Sequence, residues 1–204
     1  MIDPRVLTLI AITDGVADGE AGLLPRAEAA ARGGATMVQL RLKDADARSL
    51  VEVARMLVQA LPVPVVVNDR VDVALAAGAA GVHLGVDDLP VSAARAIVPD
   101  GFLIGVSVGA DAEVAGAAGA DYAGIGPVFG TASKADAGVA IGLDEFARLQ
   151  ARTGLPAVGI GGVTAANAGA VIAAGASGVA VISALFGARD PETAARALRS
   201  AIGR

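Results

Sequence analysis

The sequence predicts an α/β protein that folds as a single (β/α)8 barrel, the TIM-barrel fold, over residues 1–204. Eight short apolar runs recur along the chain, with amphipathic segments such as 45–60 and 110–118 between them. The runs are continuous rather than alternating, which is typical of parallel strands covered on both faces. A glycine-alanine joint also recurs before every second run, so the sequence predicts a two-strand, two-helix unit repeated four times.

The eight apolar runs are the predicted strands. Eight units of strand and helix favour a closed barrel over an open, doubly wound sheet. In chain order, the predicted strands cover residues 7–12, 37–40, 63–67, 81–84, 102–106, 122–125, 157–160 and 178–182.

The joints between helices and strands carry the repeat. Glycine-alanine pairs begin at Gly34, Gly78, Gly119 and Gly175, before strands two, four, six and eight. Glycine suits the left-handed residue that ends a helix, and prolines stop the helices before strands three, five and seven. The four glycines are 44, 41 and 56 residues apart. The longer last interval predicts an inserted functional loop after strand six, reaching to about Gly142.

Composition narrows the functional class. The chain has 54% hydrophobic residues, 2% aromatic residues, no cysteine and a net charge of −5. The lack of cysteine excludes disulfides and thiolate chemistry and fits a cytoplasmic protein, and the negative charge argues against nucleic acid as a partner. Residues 153–188 carry no charge, but glycine breaks up any long apolar helix there, so we expect no membrane span. A homo-oligomer is compatible with the sequence.

The inserted loop is the segment most typical of a phosphate site. Residues 124–134 read GIGPVFGTASK, and glycine amides, two hydroxyls and one ammonium make a phosphate cradle. A surface turn is the alternative. The chain has only two lysines among its 16 basic residues, Lys43 and Lys134, and both follow a predicted strand. We therefore expect the two lysines to have specific roles.

Polar residues also follow the other predicted strands, which share one rim in a barrel. Gln39, Arg41 and Lys43 alternate and so point the same way on an extended chain, although a solvated strand end gives the same pattern. Asp69 and Asp88 are hard oxygen ligands that suit Mg²⁺ with waters and a substrate phosphate. Taken alone, such aspartates are more often helix caps.

The remaining strand ends add an anion site and a histidine. Gly161 and Gly162 precede a helix that Thr164 is expected to cap, and a helix N-terminus behind two glycines binds anions. His83 is the chain's one histidine, and its place inside the fourth strand predicts a structural role. With no second histidine and no cysteine, histidine-based zinc sites and Cys-His dyads are excluded. The predicted rim thus combines positive side chains, two aspartates and a glycine pair, and this combination indicates a phosphorylated substrate.

In this arrangement the chain resembles thiamine phosphate synthases over almost its whole length. Each motif is modest, but seven of them occur in order at the expected strand ends. The matching residues are Gln39, Arg41 and Lys43; Asn68 and Asp69; His83, Gly85 and Asp88; Ser107; residues 126–134; residues 159–162; and Ile182 with Ser183.

The resemblance implies a reaction and a site. The family joins hydroxymethylpyrimidine diphosphate to a thiazole phosphate and releases diphosphate, with Mg²⁺ as cofactor. By resemblance, Asp69 and Asp88 hold the metal, and Lys134 and Ser107 are catalytic. The pyrimidine diphosphate is expected at Gln39, Leu40, Arg41, Leu42, Lys43, Asn68, Ser107 and Lys134. The thiazole phosphate is expected at Thr131, Ala132, Ser133, Gly162, Ile182 and Ser183.

The chain departs from the family pattern in the pocket, and alternatives stay open. Val86 stands where the family usually has glutamine, Val108-Gly109 where it often has threonine-histidine or alanine-histidine, and Gly130 where it often has proline. The related thiazole tautomerase shares the barrel but carries a histidine where this chain has Gly126-Pro127. A non-catalytic phosphate-binding barrel is an alternative of another class, and a sugar- or anthranilate-phosphate isomerase is a third.

Overall fold

The computed structural model describes residues 3–13, 19–42, 45–131 and 138–203. Eight parallel strands close into a barrel in the order β1 to β8, each paired with its neighbours in sequence and β8 with β1. This confirms the predicted fold. The strands are β1 Leu9–Ile12, β2 Met37–Leu40, β3 Val65–Asn68, β4 Gly81–Leu84, β5 Leu103–Val108, β6 Tyr122–Ile125, β7 Ala157–Ile160 and β8 Gly178–Val181.

Helices cover the outside of the barrel. A 3₁₀ helix at Asp111–Ala117 takes the place of the α-helix between β5 and β6, and another 3₁₀ helix at Pro4–Leu7 precedes β1. The α-helices are α1 Gly19–Arg32, α2 Ala47–Ala60, α3 Val71–Ala77, α4 Val91–Arg95, α5 Gly142–Thr153, α6 Ala168–Ala173, α7 Ser183–Phe186 and α8 Pro191–Ile202. No helix in the described ranges is long and apolar enough to span a bilayer.

Four strands, β2, β4, β6 and β7, have the predicted bounds, and the others differ at their ends. β1 begins only at Leu9, because a 3₁₀ helix precedes it. Pro4 at the first position of that helix and the Asp3 side chain at its N-cap favour the helix. β3 begins after Pro64, which lacks an N–H and joins the sheet only through its carbonyl, an acceptor for Val38 N at 3.0 Å. β5 extends to Val108 and so carries Ser107 within the strand.

The strands alternate between two apolar layers. One cluster fills the barrel interior and includes Ile10, Met37, Val66, Tyr122 and Val158. The larger cluster lies between the strands and the helices. Each strand therefore sends every second side chain inward, so that a short strand can be continuously apolar and still end with one polar residue facing the barrel mouth.

The glycine-alanine joints end helices as predicted. Gly34, Gly78, Gly119 and Gly175 all have positive φ, between 70° and 109°. After three of these glycines, the alanine amide donates to a carbonyl five residues earlier, at 2.9 to 3.3 Å, as in a Schellman motif. These joints lie at the amino ends of β2, β4, β6 and β8. The rim at the carboxyl ends is thereby left to the longer loops.

Candidate active site

A cavity of about 520 Å³ opens at the carboxyl ends of the strands. It collects the described residues that the sequence predicted for a site, with two exceptions treated below. Those that line it are Gln39, Arg41, Asn68, Asp69, Asp88, Ser107, Thr131, Gly162, Ile182 and Ser183. Lys43, Ala132, Ser133 and Lys134 lie outside the described residues.

Leu40 and Leu42 are the exceptions, because neither lines the cavity. Leu40 is fully buried in the layer between strands and helices, and Leu42 packs against the same layer. The cause is the alternation of β2, which turns Gln39 and Arg41 inward and the leucines outward. The two leucine side chains therefore face away from the cavity, and their contact with the diphosphate stays a prediction that would involve their backbone.

Gln39 and Arg41 are buried, with 4% and 3% of their surface exposed. Gln39 Nε2 donates to Asn68 Oδ1 at 2.7 Å, which joins the ends of β2 and β3. The Arg41 backbone is clasped by Thr13, whose Oγ1 accepts from Arg41 N at 2.8 Å and donates to Arg41 O at 3.1 Å. This burial excludes a merely solvated strand end, since long polar side chains are rarely buried without a partner or ligand.

Asp69 and Asp88 both line the cavity, and each is held in an unusual way. Asp69 has φ of 64°, the one positive φ recorded for a non-glycine residue in the described chain, and its amide donates to His83 O at 2.8 Å. Asp88 Oδ2 accepts from Gly85 N at 2.6 Å, which closes the turn after β4. Asp88 thus caps a turn and also presents a carboxylate to the cavity.

The two carboxylates fit Mg²⁺ as a donor set. Within the described ranges there is no cluster of three or more His, Asp and Glu side chains, so the described residues alone do not build a full cage. Mg²⁺ is usually held by one or two carboxylates, with waters and substrate phosphates completing the octahedron. Asp87, which was expected to point away from the site, is instead exposed at the same cavity mouth and is a further acid there.

His83 lies within β4 as predicted, but its ring faces the cavity rather than serving only the core. Its Nε2 lies 3.1 Å from Ser107 Oγ, and its Nδ1 lies 3.2 Å from the hydroxyl of Tyr122. Sequence reasoning missed this contact of His83 and missed Tyr122 altogether. The available signal was the alternation of side chains along a strand, since positions 83, 107 and 122 each fall on the inward face of their strand.

Two glycines make room for these rings. A Cβ on Gly105 would stand 2.5 Å from the Tyr122 hydroxyl, and one on Gly124 would stand 3.1 Å from His83 Cε1. Tyr122 is fully buried. Burial, with a smaller contribution from the charge of Asp121, raises the pKa of its phenol well above the ordinary value. The hydroxyl therefore keeps its proton.

The glycine pair after β7 packs against the inserted loop after β6. Gly161 and Gly162 have φ of 91° and 64°. A Cβ on Gly161 would stand 2.5 Å from Pro127 Cβ, and one on Gly162 would stand 2.5 Å from Gly130 O. Both glycines are therefore required by loop packing, in addition to any close approach of a ligand to their backbone.

The loop itself is closed at its base. Ile141 N donates to Pro127 O at 2.8 Å, and Gly142 N donates to Val128 O at 3.1 Å. These bonds join the start of the loop to the start of α5. This confirms an insertion between strand six and its helix that reaches to Gly142.

Thr164 does not cap the helix after β7, contrary to the expectation. That helix, α6, begins at Ala168, and its N-cap is Asn167. The Asn167 side chain folds back: Oδ1 accepts from Thr164 N at 2.8 Å, and Nδ2 donates to Gly162 O at 3.0 Å. Asn167 therefore fixes the turn that carries Gly162, a role that an asparagine side chain fills readily in turns.

The family departure at Val108-Gly109 has a local partner. Gly109 N donates to Glu113 Oε2 at 2.6 Å, and both residues line the cavity. A Cβ at Gly109 would stand 3.0 Å from Gly126 O, so a larger residue requires a small shift of the neighbouring loop. Val86, a second departure, is 60% exposed at the cavity mouth. These two of the three departures therefore lie on the rim of the site rather than in its floor.

Comparison with known proteins agrees with this geometry. The family model described as thiamine monophosphate synthase matches residues 9–185. The thiamine-phosphate synthase of Xanthobacter autotrophicus is 50% identical, with 99% of this chain and 98% of its own length aligned. The solved thiamine phosphate pyrophosphorylase of Pyrococcus furiosus has a TM-score of 0.85 and 37% identity, covering 98% of this chain and 97% of its own.

A more distant solved structure shows how widely the scaffold is shared. A 3-hexulose-6-phosphate synthase has a TM-score of 0.73 with 23% identity, over 96% of this chain and 99% of its own. At that identity the likeness concerns the fold alone, since one barrel supports many reactions. The family match and the full-length relative decide the assignment: this chain belongs to the thiamine monophosphate synthase family.

Proposed function

We propose that this protein transfers the hydroxymethylpyrimidine group from its diphosphate to a thiazole phosphate and releases diphosphate. The observation that carries the proposal is the convergence of two buried polar side chains, Gln39 and Arg41, with two rim carboxylates in one cavity at the strand ends. A cation and acids together fit a substrate that brings its own negative charge and a divalent metal. Full-length similarity to a thiamine-phosphate synthase supports the same reaction.

The diphosphate side of the site would lie along β2, β3 and β5. Gln39 and Asn68 are hydrogen-bonded to each other and both line the cavity. Their remaining amide donors and acceptors suit a pyrimidine ring with ring nitrogens and an amino group. Arg41 supplies a permanent positive charge for a diphosphate. By family resemblance, Lys43 and Lys134 would add two more.

Mg²⁺ would be held by Asp69 and Asp88, where bound metal neutralises the charge of the departing diphosphate. The residues of the chain do the rest. Arg41, Ser107 and Lys134 hold the diphosphate oxygens while the carbon–oxygen bond breaks, and the thiazole nitrogen forms the new bond to that carbon. No protein nucleophile is needed, because the catalytic task is to stabilise charge on a leaving group.

The thiazole phosphate would sit between the loops after β6, β7 and β8. Thr131, Gly162, Ile182 and Ser183 line this part of the cavity, and by resemblance Ala132 and Ser133 belong to the same subsite. Ser183 opens the short helix α7. Backbone amides at Gly162 and Ser183, together with the Ser183 hydroxyl, would face the phosphate, because a phosphate is bound by hydrogen-bond donors that can approach it closely.

One assay tests the proposed reaction. The two substrates are mixed with the protein, with Mg²⁺ and with a chelator, and diphosphate and thiamine phosphate are measured together. We expect both products in equal amounts and only with the metal. Isomerisation of a thiazole carboxylate phosphate without diphosphate release would instead establish the tautomerase alternative. Binding of either phosphate without turnover would establish a non-catalytic barrel.

Ser183→Ala tests the separate phosphate subsite. We expect a higher KM for the thiazole phosphate and an unchanged KM for the pyrimidine diphosphate, because the hydroxyl lies on the β8 side of the cavity. Ser200→Ala, at an exposed position of α8, is the matched control. Gly162 is a poor choice for this purpose, since any side chain there collides with Gly130 O. Equal increases in both KM values for Ser183→Ala would contradict separate subsites.

A further inference from the structure

Three side chains form a hydrogen-bonded row that crosses the floor of the cavity. The Tyr122 hydroxyl, the two nitrogens of the His83 ring and the Ser107 hydroxyl follow one another at 3.2 and 3.1 Å. The rings of His83 and Tyr122 are tilted by 42°, with centroids 5.6 Å apart. All three residues line the cavity, and the row runs from the fully buried Tyr122 to the half-buried Ser107.

The row carries one proton more than its two links can use. With the imidazole neutral, it holds a phenolic O–H, one ring N–H and a serine O–H. Two of these protons fill the two links, and the third must point out at one end. At the tyrosine end the hydroxyl is fully buried, and a buried donor left without an acceptor is costly. At the serine end the hydroxyl is half-buried and faces the cavity.

We propose that Tyr122 is a positioning residue, which donates to His83 Nδ1, holds the ring as the Nε2–H tautomer and so turns the Ser107 proton toward the substrate. The Ser107 oxygen accepts from His83, and its own O–H is left to donate into the cavity. This inference rests on the proposed function for its substrate, since diphosphate oxygens only accept hydrogen bonds. In the opposite direction Ser107 would donate to His83 and present only lone pairs to the diphosphate.

The raised pKa of Tyr122 agrees with this direction, because the phenol stays a donor across the working range. The fit of Gly105 against the hydroxyl also agrees. A Cβ there would stand 2.5 Å from the phenolic oxygen, so the ring position is fixed by packing. A ring held in this way is preorganised, and no reorientation is needed when substrate binds.

The tautomer can be read directly, because His83 is the one histidine of the chain. Protein labelled with ¹⁵N-histidine is examined without substrate by long-range ¹H–¹⁵N correlation, at a pH where the ring is neutral. We expect a protonated Nε2 and an unprotonated Nδ1 that is shifted by an accepted hydrogen bond. In Tyr122→Phe the Nδ1 resonance should move toward that of an unbonded nitrogen. A protonated Nδ1 in the parent, or an Nδ1 shift unchanged in Tyr122→Phe, would overturn the proposal.

Kinetics give a second, independent readout. Tyr122→Phe should lower kcat about threefold to tenfold, which corresponds to the usual contribution of one hydrogen bond, with little change in either KM. Combined with Ser107→Ala it should have almost no further effect, because its action passes through the serine. An equal loss with and without Ser107 would indicate a merely structural tyrosine. If Tyr122→Phe does not fold, the parent spectrum still decides the direction of the row.

The two proposals can fail separately. The spectrum needs no substrate, so an Nε2–H tautomer in a protein without synthase activity would overturn the function and leave the row in place. Synthase activity with a protonated Nδ1 would overturn the row and leave the function.

Discussion

Asp88 closes a turn and is proposed to bind Mg²⁺, and a pair of substitutions can separate the two roles. Its Oδ2 accepts from Gly85 N at 2.6 Å and closes the turn after β4, and its carboxylate faces the proposed Mg²⁺ site. Asp88→Asn keeps an oxygen acceptor for the Gly85 amide but removes the charge. Asp88→Ala removes both. The asparagine variant therefore tests the metal, and the difference between the two variants tests the turn.

The expected magnitudes follow from these contacts. A hydrogen bond to a charged acceptor stabilises by about 1.5 to 3 kcal/mol when well formed, and the partial exposure of Asp88 places it near the low end. For a chain of this size that corresponds to a fall in Tm of about 3 to 6 °C for Asp88→Ala. For Asp88→Asn we expect a fall of about 2 °C or less, since only the charge assistance is lost.

The metal effect should be common to both variants. Loss of even an outer partner of metal ligands typically weakens affinity about 10- to 100-fold, so we expect at least that increase in the Mg²⁺ concentration that gives half-maximal activity. Asp100→Asn, at the opposite end of the barrel before β5, is the control for charge loss. Asp87 is unsuitable because it lines the same cavity. A Mg²⁺ titration of Asp88→Asn that overlays the parent would refute the assignment.

Three further predictions concern the loop, the floor and the outer helices. Lys134→Ala should lower kcat by about 100- to 1000-fold with little change in KM, if the ammonium meets charge that develops only in the transition state; a loss confined to KM would show ground-state binding instead. Gly105→Ala should destabilise by about 1 to 3 kcal/mol in denaturant unfolding because it collides with Tyr122, while Gly116→Ala, with open space around it, should not. The N-cap hydrogen bonds of Asp46, first of all those with Ser49, lower the pKa of its carboxyl group. Asp46 therefore stabilises the folded state above its unfolded pKa, and this stabilisation is lost as the pH falls through its folded pKa. Asp46→Asn should make Tm depend less on pH in the acid range, and an unchanged acid dependence would contradict this.

The barrel could be predicted from the sequence because its signals are local. Continuous apolar runs marked the strands, and glycine at a helix end requires a left-handed residue wherever it stands in the chain. The errors arose where two local preferences competed. At residues 4–7, a proline and an aspartate cap turned the start of an apolar run into a 3₁₀ helix. At 111–117, the segment between β5 and β6 has the position of an α-helix but forms a 3₁₀ helix.

The candidate site could be predicted only in part, because its chemistry depends on which side of a strand a residue occupies. Resemblance placed the continuous stretch 39–43 at the ligand, yet the pleat turns the Leu40 side chain into the outer layer. Conversely, the position of His83 within a strand suggested a structural role, whereas its side chain points into the barrel and reaches Ser107. Tyr122 carried no motif at all. Its role depends on register between β5 and β6, where Gly105 pairs with it, and one sequence does not reveal register.

The closed base of the loop after β6 has a consequence for engineering. Because the Ile141–Pro127 and Val128–Gly142 backbone bonds join its two ends, the base of the loop is held closed by the described backbone on either side of it. The entropy of closing a longer or shorter loop changes slowly with length once its ends are held together. Residues 131–138 should therefore be exchangeable as a cassette between relatives. The ligand preference of one enzyme could then be grafted onto the stability of another.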